Sequence, residues 1–263
     1  MKKMTDWLGL QGKVAAITGG GGGIGRAVAL GMGRQGVVPV LLDRDMAGCD
    51  QTLAGLRLLG VEGRAIACDI ADPDSVRTAA AQAGPVDILV NNAGILRPGP
   101  LATLSLAEWN LLLSVNMTGY FLCAQAFGET MLARGRGAIV HVASIASRFP
   151  QAASGAYSVS KAGVVMLSQQ IALEWGPRGI RSNVVSPGLV RTPMSEAFYQ
   201  APGVAERRAA AIPLARVATP NDIAEVVIYL ASDRAGYVNG EDICVDGAFG
   251  RTLMSTVPRP GFD

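Results

Sequence analysis

The sequence is short of charge and of reactive side chains. Only 17% of its 263 residues are charged and the net charge is +2, which leaves no basic stripe for nucleic acid and no acidic tail. The expected partner is a small molecule, and a nucleic-acid partner is not expected. Lysine is confined to Lys2, Lys3, Lys13 and Lys161, with arginine as the cation everywhere else. The four cysteines, Cys49, Cys68, Cys123 and Cys244, lie far apart and form no CxxC pair, so neither a zinc site nor a disulfide framework is expected, and buried free thiols are. Histidine occurs once, at His141 in an apolar run, where sheet packing or a local hydrogen bond is expected rather than catalysis. No apolar run resembles a membrane span, and only Lys2 and Lys3 precede Trp7, with no stretch of signal-peptide length. The expectation is a cytoplasmic protein with no membrane partner.

What the chain does have is hydrophobic content, 49%, enough to bury the core of one large α/β domain over residues 1–263. Apolar, β-branched runs at Lys13 to Thr18, Val37 to Leu42, Arg64 to Cys68, Val86 to Asn91, Ala138 to Ala143 and Ile180 to Val185 alternate with helical segments. That alternation predicts βαβ units and a doubly wound parallel sheet covered on both faces. Helix starts are marked by Asp72 before Pro73, and by Ser105 with Glu108 and Thr219 with Asp222 in capping-box spacing. There is no internal repeat or linker; irregular structure is expected only around Thr192 to Val204 and after Gly247.

The first motif with chemical content is Thr18-Gly19-Gly20-Gly21-Gly22-Gly23-Ile24-Gly25, directly after the first strand and before a helix. Without side chains the backbone can turn tightly and approach a pyrophosphate, whose charge is favoured at a helix N-terminus. The run also fits dinucleotide spacing through Gly20, Gly22 and Gly25, so the individual glycine roles stay open at this level. The second strand ends in Asp43, eighteen residues beyond Gly25. An acidic residue there accepts hydrogen bonds from ribose hydroxyls and repels a 2′-phosphate, which favours NAD. Arg44 is a contrary sign, since a guanidinium accommodates that phosphate.

Tyr157-Ser158-Val159-Ser160-Lys161 places a phenol and an ammonium four residues apart, on one face of a helix. A solvated face in this chain would be expected to carry arginine. A compact ammonium near a phenol favours phenolate, lowers its pKa and can also donate to a ribose.

With these motifs in view, the chain resembles the short-chain dehydrogenase/reductase family over nearly its whole length. The carrying segments are Thr18 to Gly25, Cys68-Asp69-Ile70, Asn91-Asn92-Ala93-Gly94, Asn116, Ser144, Tyr157 with Lys161, and Pro187-Gly188. The resemblance implies a single Rossmann-like domain with a seven-stranded parallel sheet, and a homotetramer or homodimer built on the long helices. It assigns the key glycines to Gly19, Gly23 and Gly25, with Ile24 between them. It sets Asp69 and Ile70 beside the adenine, Asn91 near the adenosine ribose, and the loop from Pro187 through Val190 to Thr192 around the nicotinamide. It also implies a catalytic tetrad of Asn116, Ser144, Tyr157 and Lys161. Tyr157 would exchange the alcohol proton and Ser144 would hold the substrate oxygen. Lys161 would tune the tyrosine and bind the nicotinamide ribose, and Asn116 would hold a water that links the lysine to solvent. The segment from Tyr237 to Gly247 looks like the family's last strand and assembly region.

The function expected on these grounds is hydride transfer between NAD(H) and a secondary alcohol or ketone. A silent relative that only senses dinucleotide would usually lack the tyrosine or the lysine. An NADPH-dependent 3-oxoacyl carrier-protein reductase shares the tetrad, but such enzymes often carry a basic residue in the glycine loop, where Gly20 to Gly22 offers none. Trp109 and Trp175 are expected in core or subunit contacts. Substrate choice is expected to depend on Met194 to Tyr199 and on the tail, whose segment Pro258 to Phe262 could close a neighbouring subunit's pocket.

Overall fold

Alternation along each strand divides the core in two. In β1 (Val14–Thr18) Ala15 and Ile17 face one layer and Ala16 the other; in β2 (Val38–Asp43) Leu41 faces the first and Val40 and Leu42 the second. This is the period-two pattern of strands buried on both faces. The computed structural model describes residues 6–258 and 261. Lys2 and Lys3, and Arg259, Pro260 and Phe262 of the tail, lie outside the described residues.

The remaining strands are β3 (Arg64–Ala67), β4 (Ile88–Asn91), β5 (Gly137–Val142), β6 (Ile180–Pro187) and β7 (Asp242–Val245). All seven pair in parallel in the order β3-β2-β1-β4-β5-β6-β7. The fold is thus a single Rossmann-like domain, as expected. Helices α1 (Gly23–Arg34), α2 (Met46–Leu58) and α8 (Pro220–Ala231) bury Val28, Met32, Leu53, Leu56, Ile223 and Val227 against one face. Helices α3 (Pro73–Ala83), α5 (Gly119–Arg134) and α6 (Tyr157–Trp175) bury Val76, Phe127, Met131, Val164 and Ile171 against the other. Two further helices among the described residues are α4 (Leu106–Leu113) and α7 (Val204–Ala210). Strand order reverses between β1 and β4, and a crevice opens there outside the carboxyl ends of the strands.

The cap signals act as expected, with one reduction. Asp72 accepts from Asp74 N–H, and Thr219 with Asp222 forms a reciprocal box. Ser105 accepts from Glu108 N–H, but the glutamate does not reach back. The expectation that no run resembles a membrane span needs a qualification. Leu106–Arg134 is long and apolar enough to cross a bilayer, with a mean hydropathy of 1.2. Packing accounts for part of its apolar content, because Tyr120, Cys123, Phe127 and Met131 are fully buried against the sheet while Leu106, Leu111 and Phe121 are exposed. The segments expected to be irregular contain 3₁₀ turns at Glu196–Tyr199 and Phe249–Thr256.

Candidate active site

The turn after β1 is stitched to the turn after β4. The Thr18 hydroxyl accepts from Asn92 N–H at 2.9 Å and Ala93 N–H at 3.0 Å, while the Asn92 side-chain amide donates back to Thr18 O at 3.0 Å. Between them the glycine turn is held close. Gly19 and Gly23 have φ of +68° and +52°, a region that costs any other residue except asparagine or aspartate dearly. A Cβ on Gly25 would lie 2.0 Å from Gly19 O. In the alternative spacing Gly22 is extended and a Cβ there would meet nothing, while a Cβ on Gly20 would lie 2.9 Å from Leu41 Cβ. Helix α1 begins at Gly23 with no side-chain cap and no acidic residue in its first turn, so its first N–H groups are free to meet an anion. Arg26 buttresses the turn from behind by donating to Gly21 O at 2.7 Å and to the Thr52 hydroxyl. The residues therefore fit a dinucleotide: the turn can admit a pyrophosphate where a Cβ would exclude it.

At the neighbouring strand ends, Asp43 accepts from Gly21 N–H at 2.9 Å and from Asp45 N–H at 3.0 Å. It holds the glycine turn as well as facing the space beyond β2. Arg44 reaches Asp69 across 3.4 Å, an exposed pair. Asp69 also accepts from Ala71 N–H, and Ile70 is buried in the core against Gly119.

Beyond the glycine turn lies a cavity of about 640 Å³ lined by Ser144, Tyr157 and Lys161 among others. Ser144 ends the run after β5 and caps a 3₁₀ turn, accepting from Ala146 N–H at 3.1 Å. Tyr157 is the first residue of α6 and Lys161 lies one turn on. The Lys161 ammonium is buried; it donates to Val142 O at 2.9 Å and to the Tyr120 hydroxyl at 3.3 Å, and sits 5.8 Å from the centre of the Tyr157 ring. Burial lowers its pKa to about 7. Burial raises that of Tyr157, against a lowering by the Ser144 hydroxyl. The expectation that Lys161 pulls Tyr157 down is therefore not met in the protein alone, because the ammonium is turned to Val142 and Tyr120.

Asn116 lies in a π-helical turn, Ser114–Thr118, inside the run from α4 to α5, the kind of irregularity that recurs at functional sites. Its amide accepts from Ile95 N–H at 2.8 Å and donates to Ile95 O at 2.9 Å, so the side chain fixes the Gly94–Ile95 turn. A Cβ on Gly94 would lie 3.2 Å from that amide oxygen and 3.8 Å from the lysine nitrogen.

Of the residues singled out from sequence, Gly19, Gly23, Ile24, Ser144, Tyr157, Lys161, Pro187, Val190 and Thr192 line the cavity. Gly25, Asp43, Asp69, Ile70 and Asn116 stand behind or beside it. Asn91 departs most from expectation. Its side chain is fully buried, donating to Tyr120 O at 3.0 Å and contacting His141 Nδ1 at 3.3 Å; the neighbouring Asn92 is the member of the pair that lines the cavity. His141 stacks on Tyr120, with ring centres 5.9 Å apart, the packing role expected of it, and burial followed by the Lys161 charge holds its pKa at about 3. Sequence reasoning passed over Tyr120, which touches the lysine, and Arg208, which lines the cavity. The free cysteines are buried at Cys49, Cys68 and Cys123 and half-buried at Cys244.

Comparison with known proteins gives this geometry a family. A model described as enoyl-(acyl carrier protein) reductase matches residues 19–249. The chain is 41% identical to a D-threitol dehydrogenase of Mycolicibacterium smegmatis, over 91% of this chain and 94% of that one. It is 37% identical to a 2,3-dihydro-2,3-dihydroxybenzoate dehydrogenase of Bacillus subtilis, over 93% and 98%. The structure of a gluconate 5-dehydrogenase from Burkholderia cenocepacia in complex with NADP and tartrate superposes with a TM-score of 0.89 at 32% identity, covering 95% of this chain and 99% of that one. With the parallel sheet, the glycine turn and the Ser144, Tyr157 and Lys161 cluster in one cleft, the chain belongs to the short-chain dehydrogenase/reductase family, whose members among its relatives are hydride-transferring, NAD(P)-dependent oxidoreductases of alcohols.

Proposed function

We propose that the protein is an NAD-preferring dehydrogenase of a secondary alcohol, or reductase of the matching ketone, with Tyr157 as general acid/base. The single observation that carries the reading is the convergence of Ser144, Tyr157 and Lys161 in the cavity that continues from the glycine turn. The dinucleotide supplies hydride exchange when bound, and Gly19, Gly23, Ile24, Gly25, Pro187, Val190 and Thr192 are the residues that would hold it, with Asp43, Asp69, Ile70 and the turn around Asn91 at its adenosine end. Tyr157 as phenolate takes the alcohol proton in oxidation, and as phenol it gives that proton to the substrate oxygen in reduction. The Ser144 hydroxyl holds the substrate oxygen and keeps it beside the phenol. The ammonium of Lys161, held at Val142 O, donates to a ribose hydroxyl and stabilises negative charge on the phenol once turned toward it. Asn116 anchors the backbone under that lysine.

NAD preference rests on Asp43, whose carboxylate stands at the end of β2 where an adenosine ribose meets this fold. Relatives named for threitol, a dihydroxylated ring acid and gluconate support a hydroxylated substrate. A homotetramer or homodimer is supported by Phe121 on α5 and Met166 and Leu173 on α6, large apolar side chains left exposed; light scattering on the purified protein tests it.

Tyr157→Phe tests the catalytic reading. Turnover is expected to fall by at least about 10²-fold, the usual contribution of a general acid/base, while calorimetric NADH binding stays near wild type. Retention of more than about a tenth of wild-type kcat would remove Tyr157 from the role.

A further inference from the structure

Among the described residues, the walls of the reaction cavity carry two positive side chains, Lys161 and Arg208, and no aspartate or glutamate. Lys161 is already engaged by Val142 O and Tyr120. Arg208 on α7 is different, for it has no ion pair or hydrogen bond to any side chain or backbone group among the described residues, whereas the nearby Arg191, which does not line the cavity, is paired bidentately with Glu196 at 2.7 and 3.0 Å. What positions Arg208 is stacking: its guanidinium carbon lies 4.7 Å from the centre of the Tyr199 ring and 5.2 Å from that of Phe198. Stacking occupies the face of a guanidinium and leaves its in-plane N–H fork open. A second polar group on the same wall is also unsatisfied. Tyr199 is 9% exposed, and its hydroxyl is buried without a partner among the described residues, a state that costs free energy until an acceptor or donor arrives.

We propose that Arg208 is the substrate-recognising cation of this cavity and that the substrate is a secondary alcohol bearing a carboxylate, a hydroxy acid. A planar carboxylate matches the open fork bidentately. A cavity with excess positive charge and no acidic group draws an anion in and gains little from a neutral polyol. The half-buried, ring-stacked guanidinium loses less freedom on binding than a free surface arginine would. The proposal rests on the dehydrogenase reading, since Ser144 and Tyr157 must meet the hydroxyl of the same molecule.

The test pairs each acid with its primary amide, which is isosteric and neutral: 3-hydroxybutyrate, 4-hydroxycyclohexanecarboxylate and gluconate, assayed by NADH absorbance in wild type, Arg208→Met and Tyr199→Phe. At least one acid is expected to exceed its amide by about tenfold or more in kcat/KM. That ratio should fall toward one in Arg208→Met and by a smaller factor in Tyr199→Phe, with Arg208→Lys intermediate. Thermal melting and NADH titration of each variant exclude misfolding as the cause. A wild type that oxidises neutral alcohols only, amides that match their acids, or an Arg208→Met that keeps the ratio or loses NADH affinity instead would overturn the proposal. Failure of the dehydrogenase reading looks different, since no alcohol of either kind is then oxidised. In that case calorimetric titration of the three acids into NADH-loaded protein decides the matter. Binding that weakens in Arg208→Met supports the cation's role, and absent or unchanged binding refutes it.

Discussion

Asp43 carries two duties that a single substitution can separate. Its carboxylate is expected to select NAD by charge, and it also accepts hydrogen bonds from Gly21 N–H and Asp45 N–H, fixing the glycine turn. Hydrogen bonds to a charged acceptor contribute about 1.5–3 kcal/mol each, and at this half-buried position the lower end applies. Asp43→Ala removes both bonds at once and loosens Gly21, leaving Arg26 to restrain it through the Gly21 carbonyl. A loss of about 1.4 kcal/mol is tenfold in affinity, so Asp43→Ala should lower kcat/KM with NAD by about tenfold or more. Asp43→Asn keeps an amide oxygen as acceptor but removes the charge. Relief of a like-charge contact of about 1–3 kcal/mol at a few ångströms should then raise NADP turnover more in the asparagine variant than in the alanine one. Wild type is expected to prefer NAD by at least about tenfold. Initial rates with both cofactors and one alcohol, with melting curves for each variant, decide it. If alanine and asparagine variants behave alike with both cofactors, the carboxylate does not hold the turn; if wild type prefers NADP, Asp43 does not select.

Three other outcomes are expected from the packing and the buried charges. Gly25→Ala puts a methyl group 2.0 Å from Gly19 O, so calorimetry should find NADH binding lost and melting should find a less stable protein. Lys161 titrates at about 7 in the fold against 10.5 when exposed; between those values the unfolded chain binds more protons, so its contribution to stability rises with pH. Ligand-free Lys161→Met should therefore exceed wild type in Tm most below about pH 7 and lose that advantage toward about pH 10, as melting across buffers would reveal. His141 is held neutral down to about 3 against 6.5 when exposed, so stability falls as pH drops through that window. His141→Asn should flatten the acid limb of the Tm profile, and an unchanged slope would mean that the imidazole is not the acid-labile group.

Much of the fold was legible because strands buried on both faces are continuous apolar runs, and six of the seven stand out as such. The cleft residues were legible where chemistry demands one residue type at one spacing: glycine where φ is positive at Gly19 and Gly23, and a phenol and an ammonium one helical turn apart at Tyr157 and Lys161. Parity hid Asn91. It shares a face of β4 with Leu89, which packs under α5, and it pairs in register with His141 on β5; only the three-dimensional sheet tells which face that is. Tyr199 falls in the segment expected to govern substrate choice and lines the cavity, whereas Arg208 sits on a short helix where no periodic pattern marks it.

Tyr120 shows how the irregular helix serves the site. A π turn inserts one residue into the α-helical ladder and rotates the succeeding residues about the helix axis. Here that turn sets Asn116 against Ile95 and, four residues on, Tyr120 against Lys161, where its hydroxyl accepts from the ammonium and donates to Val142 O at 3.0 Å. The lysine is therefore held by neutral acceptors, with no carboxylate bonded to it among the described residues. Had a buried carboxylate paired with it, the ammonium would be locked by several kcal/mol of interaction that a ribose hydroxyl could not displace. Held by dipoles alone, it keeps a pKa near neutrality and remains free to donate a further hydrogen bond toward the cleft, as a lysine that serves both a phenol and a ribose must.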